Sequence, residues 1–141
     1  MTIQMELARV LIRETDDTHV VELREAGIDD ESSARIFPIV IGITEAAAIE
    51  RRLMGQHPPR PQTHELLDNV VQALGYELDR IEISDLQNHT FFAKLFLRRG
   101  SDMVEIDARP SDAIALGSAH DVPIYVAEHV LDEVCGNDNG F

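Results

Sequence analysis

Asp107, Arg109, Ser111 and Asp112 crowd into six residues of the segment DARPSDAIAL, which spans 107–116. An apolar alternating run precedes them and an Ala-rich run follows, so the segment reads as a strand, a turn at Arg109-Pro110, and a helix capped by Ser111. A helix N-terminus offers free N–H groups and partial positive charge, which suits an anion. Arg109 adds a bidentate phosphate contact. Asp107 and Asp112 are candidate ligands for a divalent cation, Mg²⁺ or Mn²⁺, of the kind that activates water in phosphodiester hydrolysis. The same residues have plainer roles: Ser111 as a cap, Asp112 as a partner of the helix dipole, and Asp107–Arg109 as an ion pair holding the turn.

A second group is Arg60, Thr63, His64 and Asp68. His64 and Asp68 stand four apart and share a helix face, as a base with its orienter or as metal ligands. Arg60 lies between prolines in a stiff loop that can present it to phosphate. Thr63 is placed as a cap and substrate contact. Glu45 matches Asp112 in an internal correspondence at an offset of 67, which sets Thr44 against Ser111 and Ala46 against Ala113. It is therefore a third candidate carboxylate. The adjacent arginines Arg51 and Arg52 read as solvated or ion-paired. No Walker A loop, dinucleotide fingerprint, GxSxG elbow or HExxH spacing occurs, so no organic cofactor is expected.

These residues need a frame. Alternating apolar positions predict strands over 3–13, 19–24, 36–41, 76–85, 90–98, 103–107 and 124–126. Pro38 cannot donate to a ladder, which puts the third strand at an edge or gives it an irregular start. Thr44 and Thr63 open two helices closed by Gly55 and Gly75, with Leu66, Leu67, Val70, Val71 and Leu74 as the core face of the second. Ser111 caps a helix, and a short one covers 127–134. The expectation is one α+β domain over 1–135. It consists of two β-β-β-α-α repeats sharing one curved, barrel-like sheet, followed by a disordered tail at 136–141.

Composition narrows the function. The chain has 141 residues, 26 acidic against 12 basic, for a formal net charge of −14. Such a surface repels a nucleic-acid backbone. It fits a solubility adaptation to high salt, or carboxylates that hold a cation. Cys135 is the single cysteine and forms no internal disulfide. With no long apolar run and no basic-then-apolar start, a cytoplasmic, non-membrane protein is expected.

The runs IGITEAAAI (41–49), PRPQTHELL (59–67), DARPSDAIAL (107–116) and VPIYVAEHVLDE (122–133) resemble the bifunctional nuclease family. The resemblance implies a duplicated barrel-like α+β fold and a nuclease acting on DNA and RNA. The roles assigned above to Asp107, Arg109, His64, Asp112, Arg60, Ser111, Thr63 and Glu45 come from the residues themselves. Two other readings compete: a non-catalytic protein-binding or assembly module, whose edge strand near Pro38 could support a homodimer, a higher homo-oligomer or a protein partner, and a small-anion or nucleotide-binding domain.

Overall fold

The computed structural model describes residues 1–13, 15–30 and 32–136. The expected tail lies outside the described residues from residue 137 onward. The first half runs β1 (Thr2–Leu11), β2 (His19–Glu25), β3 (Ile36–Ile41), α1 (Ile43–Leu53) and α2 (Thr63–Ala73). The second runs β4 (Glu77–Gln87), β5 (Thr90–Arg99), β6 (Asp102–Ala108), α3 (Pro110–Gly117), β7 (Ile124–Ala127) and α4 (Glu128–Cys135).

The hairpin turns follow from local chemistry. Gln87 and Thr90 pair across the two-residue loop Asn88-His89, whose φ values of 51° and 66° are those a primed turn requires. Arg99 and Asp102 flank Gly100, with φ 60°, in the same way. Each half thus forms an antiparallel three-stranded meander followed by a helix. β7 has no counterpart in the first half, so the second half is β-β-β-α-β-α rather than β-β-β-α-α. β7 pairs antiparallel with β1 and parallel with β4, joining the two meanders into one seven-stranded sheet of order β3-β2-β1-β7-β4-β5-β6.

That sheet is open, which corrects the barrel expectation: β3 and β6 are its two edges and do not pair with each other. Pro38 lies on one of them, as its missing N–H requires. The sheet nonetheless curls, because Phe37 of β3 stacks on Phe91 of β5 with ring centroids 5.7 Å apart. α3 lies in the hollow. Of its eight residues all but Asp112 are buried, and α1 packs along it through Ala46, Ala113 and Ala115, each fully buried. Small side chains let the two helices approach closely.

α2 is oriented against expectation. Only His64 and Val71 are buried on it, whereas Leu66, Leu67, Val70 and Leu74 are 55, 39, 45 and 62% exposed. Of the five residues read as a core face only Val71 is buried; the other four point outward, and the helix docks through Val71 and its polar side. Glu65 pairs with Arg51 at 3.0 Å and Asp68 with Arg52 at 3.0 Å. Periodicity identified the stripe but could not say which side the rest of the chain would cover.

Arg51 and Arg52 are ion-paired, one of the two expected alternatives, but Arg52 is also buried. It is 7% exposed and reaches from α1 to the C-terminal end of α3. Its Nε donates to the Ala115 carbonyl at 2.7 Å and an Nη to the Leu116 carbonyl at 3.1 Å. The last four carbonyls of a helix have no intrahelical donors. Here Ile114 accepts from the Ser118 amide, Gly117 from the His120 amide, and the two between them from Arg52. One guanidinium therefore locks α1, α2 and α3 together.

Candidate functional site

The starts of α1, α2 and α3 fall one or two residues earlier than the sequence suggests. The N-caps are Gly42, Gln62 and Arg109, each with extended backbone, so Thr44, Thr63 and Ser111 lie inside their helices. Pro110 takes the first position of α3, where its fixed φ is already helical and its missing N–H costs nothing. Neither Gly42 nor Arg109 provides a side-chain cap, while Glu65 accepts from the Gln62 amide at 3.2 Å.

The clamp at Arg52 aligns these three helices so that their N-terminal ends meet at one cleft of about 460 Å³. Thr44 and Glu45 of α1, Thr63 and His64 of α2, and Arg109 and Asp112 of α3 line it, and Asp107 joins from the end of β6. Its floor is apolar, built from Val71, Leu95, Leu97 and Ile106.

At the polar end His64 Nε2 lies 2.9 Å from Asp112 Oδ1, and Arg109 Nε donates to Asp112 Oδ2 at 2.8 Å. An Arg109 Nη stands 3.6 Å from Glu45 Oε2. Burial pushes the Asp112 carboxyl up, but hydrogen bonds from Arg109 and His64, with their charge, outweigh it and hold the group below its ordinary value. Asp112 is thus an ionised acceptor, so Nε2 of His64 carries the hydrogen of their bond and Nδ1 is the ring nitrogen that can gain or lose a proton. Arg109 is raised above its usual value by the hydrogen bond and charge of Asp112 and, more weakly, by Glu45.

The structure therefore gathers Glu45, Thr63, His64, Asp107, Arg109 and Asp112. It changes their pairing, since Arg109 binds Asp112 and Glu45 rather than Asp107, and the two corresponding carboxylates flank one guanidinium. Asp68 is separated from His64 despite their shared helix: it accepts from Arg52, from Gln72 at 2.9 Å and lies 2.6 Å from His120 Nε2. Arg60 is exposed in the loop before α2 and does not line the cleft. Ser111 is buried at 6% and faces a separate hollow beside β3. Sequence reasoning missed Thr44, Arg51 and Gln62 on the rim. For Thr44 and Gln62 the one signal was an acid in the first turn of α1 and α2, which marks a helix N-terminus; Arg51, in the last turn of α1, had none.

Among the described residues no three His, Cys, Asp or Glu side chains are grouped to hold a metal ion. Both Asp112 oxygens are engaged by His64 and Arg109, so in this arrangement the cleft does not fit a resident cation. Among the described residues, no helix is long and apolar enough to cross a membrane.

An open α+β sheet thus wraps around a buried helix whose N-terminus opens on the cleft. The family model described as the bifunctional nuclease domain matches residues 28–137, and the chain belongs to that family. It is 40% identical over 128 residues to a protein of Mycobacterium tuberculosis (strain H37Rv) described as uncharacterized, covering 91% of this chain and 73% of that protein. It is 25% identical over 104 residues to bifunctional nuclease 2 of Arabidopsis thaliana, covering 72% of this chain and 32% of that protein. It is 23% identical over 126 residues to bifunctional nuclease 1 of Oryza sativa subsp. indica, covering 86% and 37% respectively. The chain thus spans about a third of the length of these plant relatives.

Proposed function

We propose that the cleft binds and hydrolyses a phosphodiester, the activity that the names of the plant relatives carry. The supporting observation is the His64–Asp112–Arg109 chain at the meeting of three helix N-termini. Arg109 is 64% exposed in its side chain, and an exposed ion pair is worth about 0–1 kcal/mol. It can therefore turn from Asp112 to a phosphate at little cost, while the helix ends add partial positive charge. His64 Nδ1 takes the proton from an attacking water as the new P–O bond forms and the ester P–O bond breaks. Asp112 holds the ring in the competent tautomer and stabilises its charged form.

A divalent cation on Asp107, Asp112 and Glu45 is part of the proposal only as an alternative state, because it requires Arg109 to release Asp112. Single-stranded and duplex DNA and RNA are the substrates to assay, in EDTA and with Mg²⁺ or Mn²⁺. His64→Gln is expected to lower the rate by about 10²–10⁴, and Asp107→Ala separates the metal-bound state from the metal-free one. Equal activity in wild type and His64→Gln would refute the assignment.

The apolar floor favours a second reading, a small anionic ligand, because a volume of this size and a few convergent polar groups are typical of small-molecule sites. Saturable binding of a mononucleotide without turnover would select it.

A further inference from the structure

We propose that the hollow of about 280 Å³ between β3, the β4–β5 turn and the start of α3 is a second anion subsite, which takes a phosphate group beside the cleft. Among the described residues four polar or charged ones are buried, His19, Arg52, His64 and Ser111. The first three have partners. His19 Nδ1 accepts from the Arg13 amide at 3.2 Å, Arg52 donates to the Ala115 and Leu116 carbonyls, and His64 meets Asp112. Among the described residues no donor or acceptor pairs with the Ser111 hydroxyl. Its oxygen is not sealed off either, so it opens on the hollow that Ser111 lines. A buried hydroxyl without a partner is unfavourable, and an acceptor entering the hollow relieves it.

The backbone adds further donors. Pro110, at the first position of α3, has no N–H, and the Ala113 amide is the first to bond back, to the Arg109 carbonyl at 3.0 Å. The amides of Ser111 and Asp112 are left free at the positive end of the helix. Arg109 lines the hollow as well as the cleft. Its guanidinium has five N–H donors, of which Asp112 takes one at 2.8 Å, while Glu45 stands 3.6 Å away. Charge decides the sign of the ligand. The chain has 26 acidic residues, and Glu45, Asp107 and Asp112 line the cleft, yet among the described residues no carboxylate lines the hollow, whose titratable groups are Arg109 and His89. A cation finds no ligand there. A phosphate finds the hydroxyls of Ser111 and Thr90, two amides and part of a guanidinium fork. Because Arg109 is shared, a phosphate in the hollow lies next to one in the cleft, which suits consecutive phosphates of a nucleotide chain; that last step alone rests on the nuclease reading.

The test is an amide-resolved NMR titration of the full chain in EDTA with inorganic phosphate, against NaCl at equal ionic strength. The Ser111 and Asp112 amides should shift saturably with phosphate and not with chloride. Ser111→Ala should weaken binding by about tenfold without lowering Tm in phosphate-free buffer, because the hydroxyl it removes has no partner in the fold. A Ser111 that only supports the helix would give the opposite pattern. Thr90→Glu sets a carboxylate at an exposed position on the rim and should weaken binding likewise, which keeps the test open should Ser111→Ala fold poorly. His64→Gln should slow hydrolysis and leave the phosphate response at Ser111 unchanged, so failure of the nuclease reading and failure of the subsite are told apart. A dinucleotide with a terminal phosphate should bind more tightly than a mononucleotide and lose that advantage in Ser111→Ala; equal binding of the two would overturn the chain source and leave free phosphate as the ligand. No phosphate-specific shift at Ser111 and Asp112, or wild-type affinity in both Ser111→Ala and Thr90→Glu, would overturn the inference.

Discussion

Replacing Arg52 by Met removes one guanidinium while keeping most of its apolar stem. Two carbonyls at the end of α3, Ala115 at 2.7 Å and Leu116 at 3.1 Å, lose their donor in a region closed to water. Asp68 keeps Gln72 and His120 but loses its buried cation. Hydrogen bonds to a charged donor contribute about 1.5–3 kcal/mol each, and breaking a buried pair costs about 3–5 kcal/mol. These overlap rather than add, so the expected loss is about 3–5 kcal/mol, a large share of the roughly 5–15 kcal/mol of a whole domain. For a domain of this size that corresponds to a fall in Tm of about 10–20 °C. Urea unfolding followed by circular dichroism measures it, and an unchanged slope shows that the same surface is exposed in both proteins. A cycle with Asp68→Asn should give a coupling energy of about 1–3 kcal/mol. A loss below about 1 kcal/mol, or zero coupling, would refute the claim that Arg52 is the clamp aligning the three helix starts, and would undermine the cleft with it.

Asp68 and Asp112 have carboxyl groups held below their ordinary values, against the opposing effect of burial, by hydrogen bonds from Gln72, His120 and Arg52 and from Arg109 and His64 respectively. A depressed carboxyl stabilises the fold above its unfolded value and loses that contribution as pH falls through the folded one. Acid titration of stability should therefore show a loss beginning near pH 4, roughly the unfolded carboxylate value, and smaller in Asp112→Asn; an identical slope in wild type and variant would contradict this. Phe37→Ala should cost about 3–5 kcal/mol, and a cycle with Phe91→Ala should show about 0.5–1.5 kcal/mol of coupling if the sheet curls as described, whereas strict additivity would mean the rings do not meet. Arg109→Ala should change stability by less than about 1 kcal/mol while abolishing binding of a phosphodiester, and a variant that binds normally would remove Arg109 from the site.

The hairpins, the order of strands and helices and the strand–helix turn at 107–116 were legible locally, because each rests on short-range chemistry: alternating apolar residues, Asn-His and Gly-Ser turns, and Pro110 before an Ala-rich run. The edge position of β3 was legible from one missing N–H at Pro38. The cleft was legible in part, since Glu45, Thr63, His64, Asp107, Arg109 and Asp112 do gather, though in pairings the spacing did not suggest. Arg60 and Ser111 do not line the cleft, because proximity along the chain says nothing about which side of a loop or helix faces a cavity.

What the residues alone determined is therefore the local backbone and the identity of the charged groups. Which face of α2 is buried, whether Arg52 meets water or the end of α3, and whether the sheet closes were decided by packing. A helix with an apolar stripe on one side and ion-pairing groups on the other has two docking solutions. Here α1 and α3 already fill the hollow of the sheet with small side chains, and α1 presents Arg51 and Arg52 towards α2. The polar side of α2 then neutralises two otherwise unpaired cations, and its leucines are left to the surface. No periodicity within α2 contains that choice, because the groups that impose it lie 14 to 52 residues away in the chain.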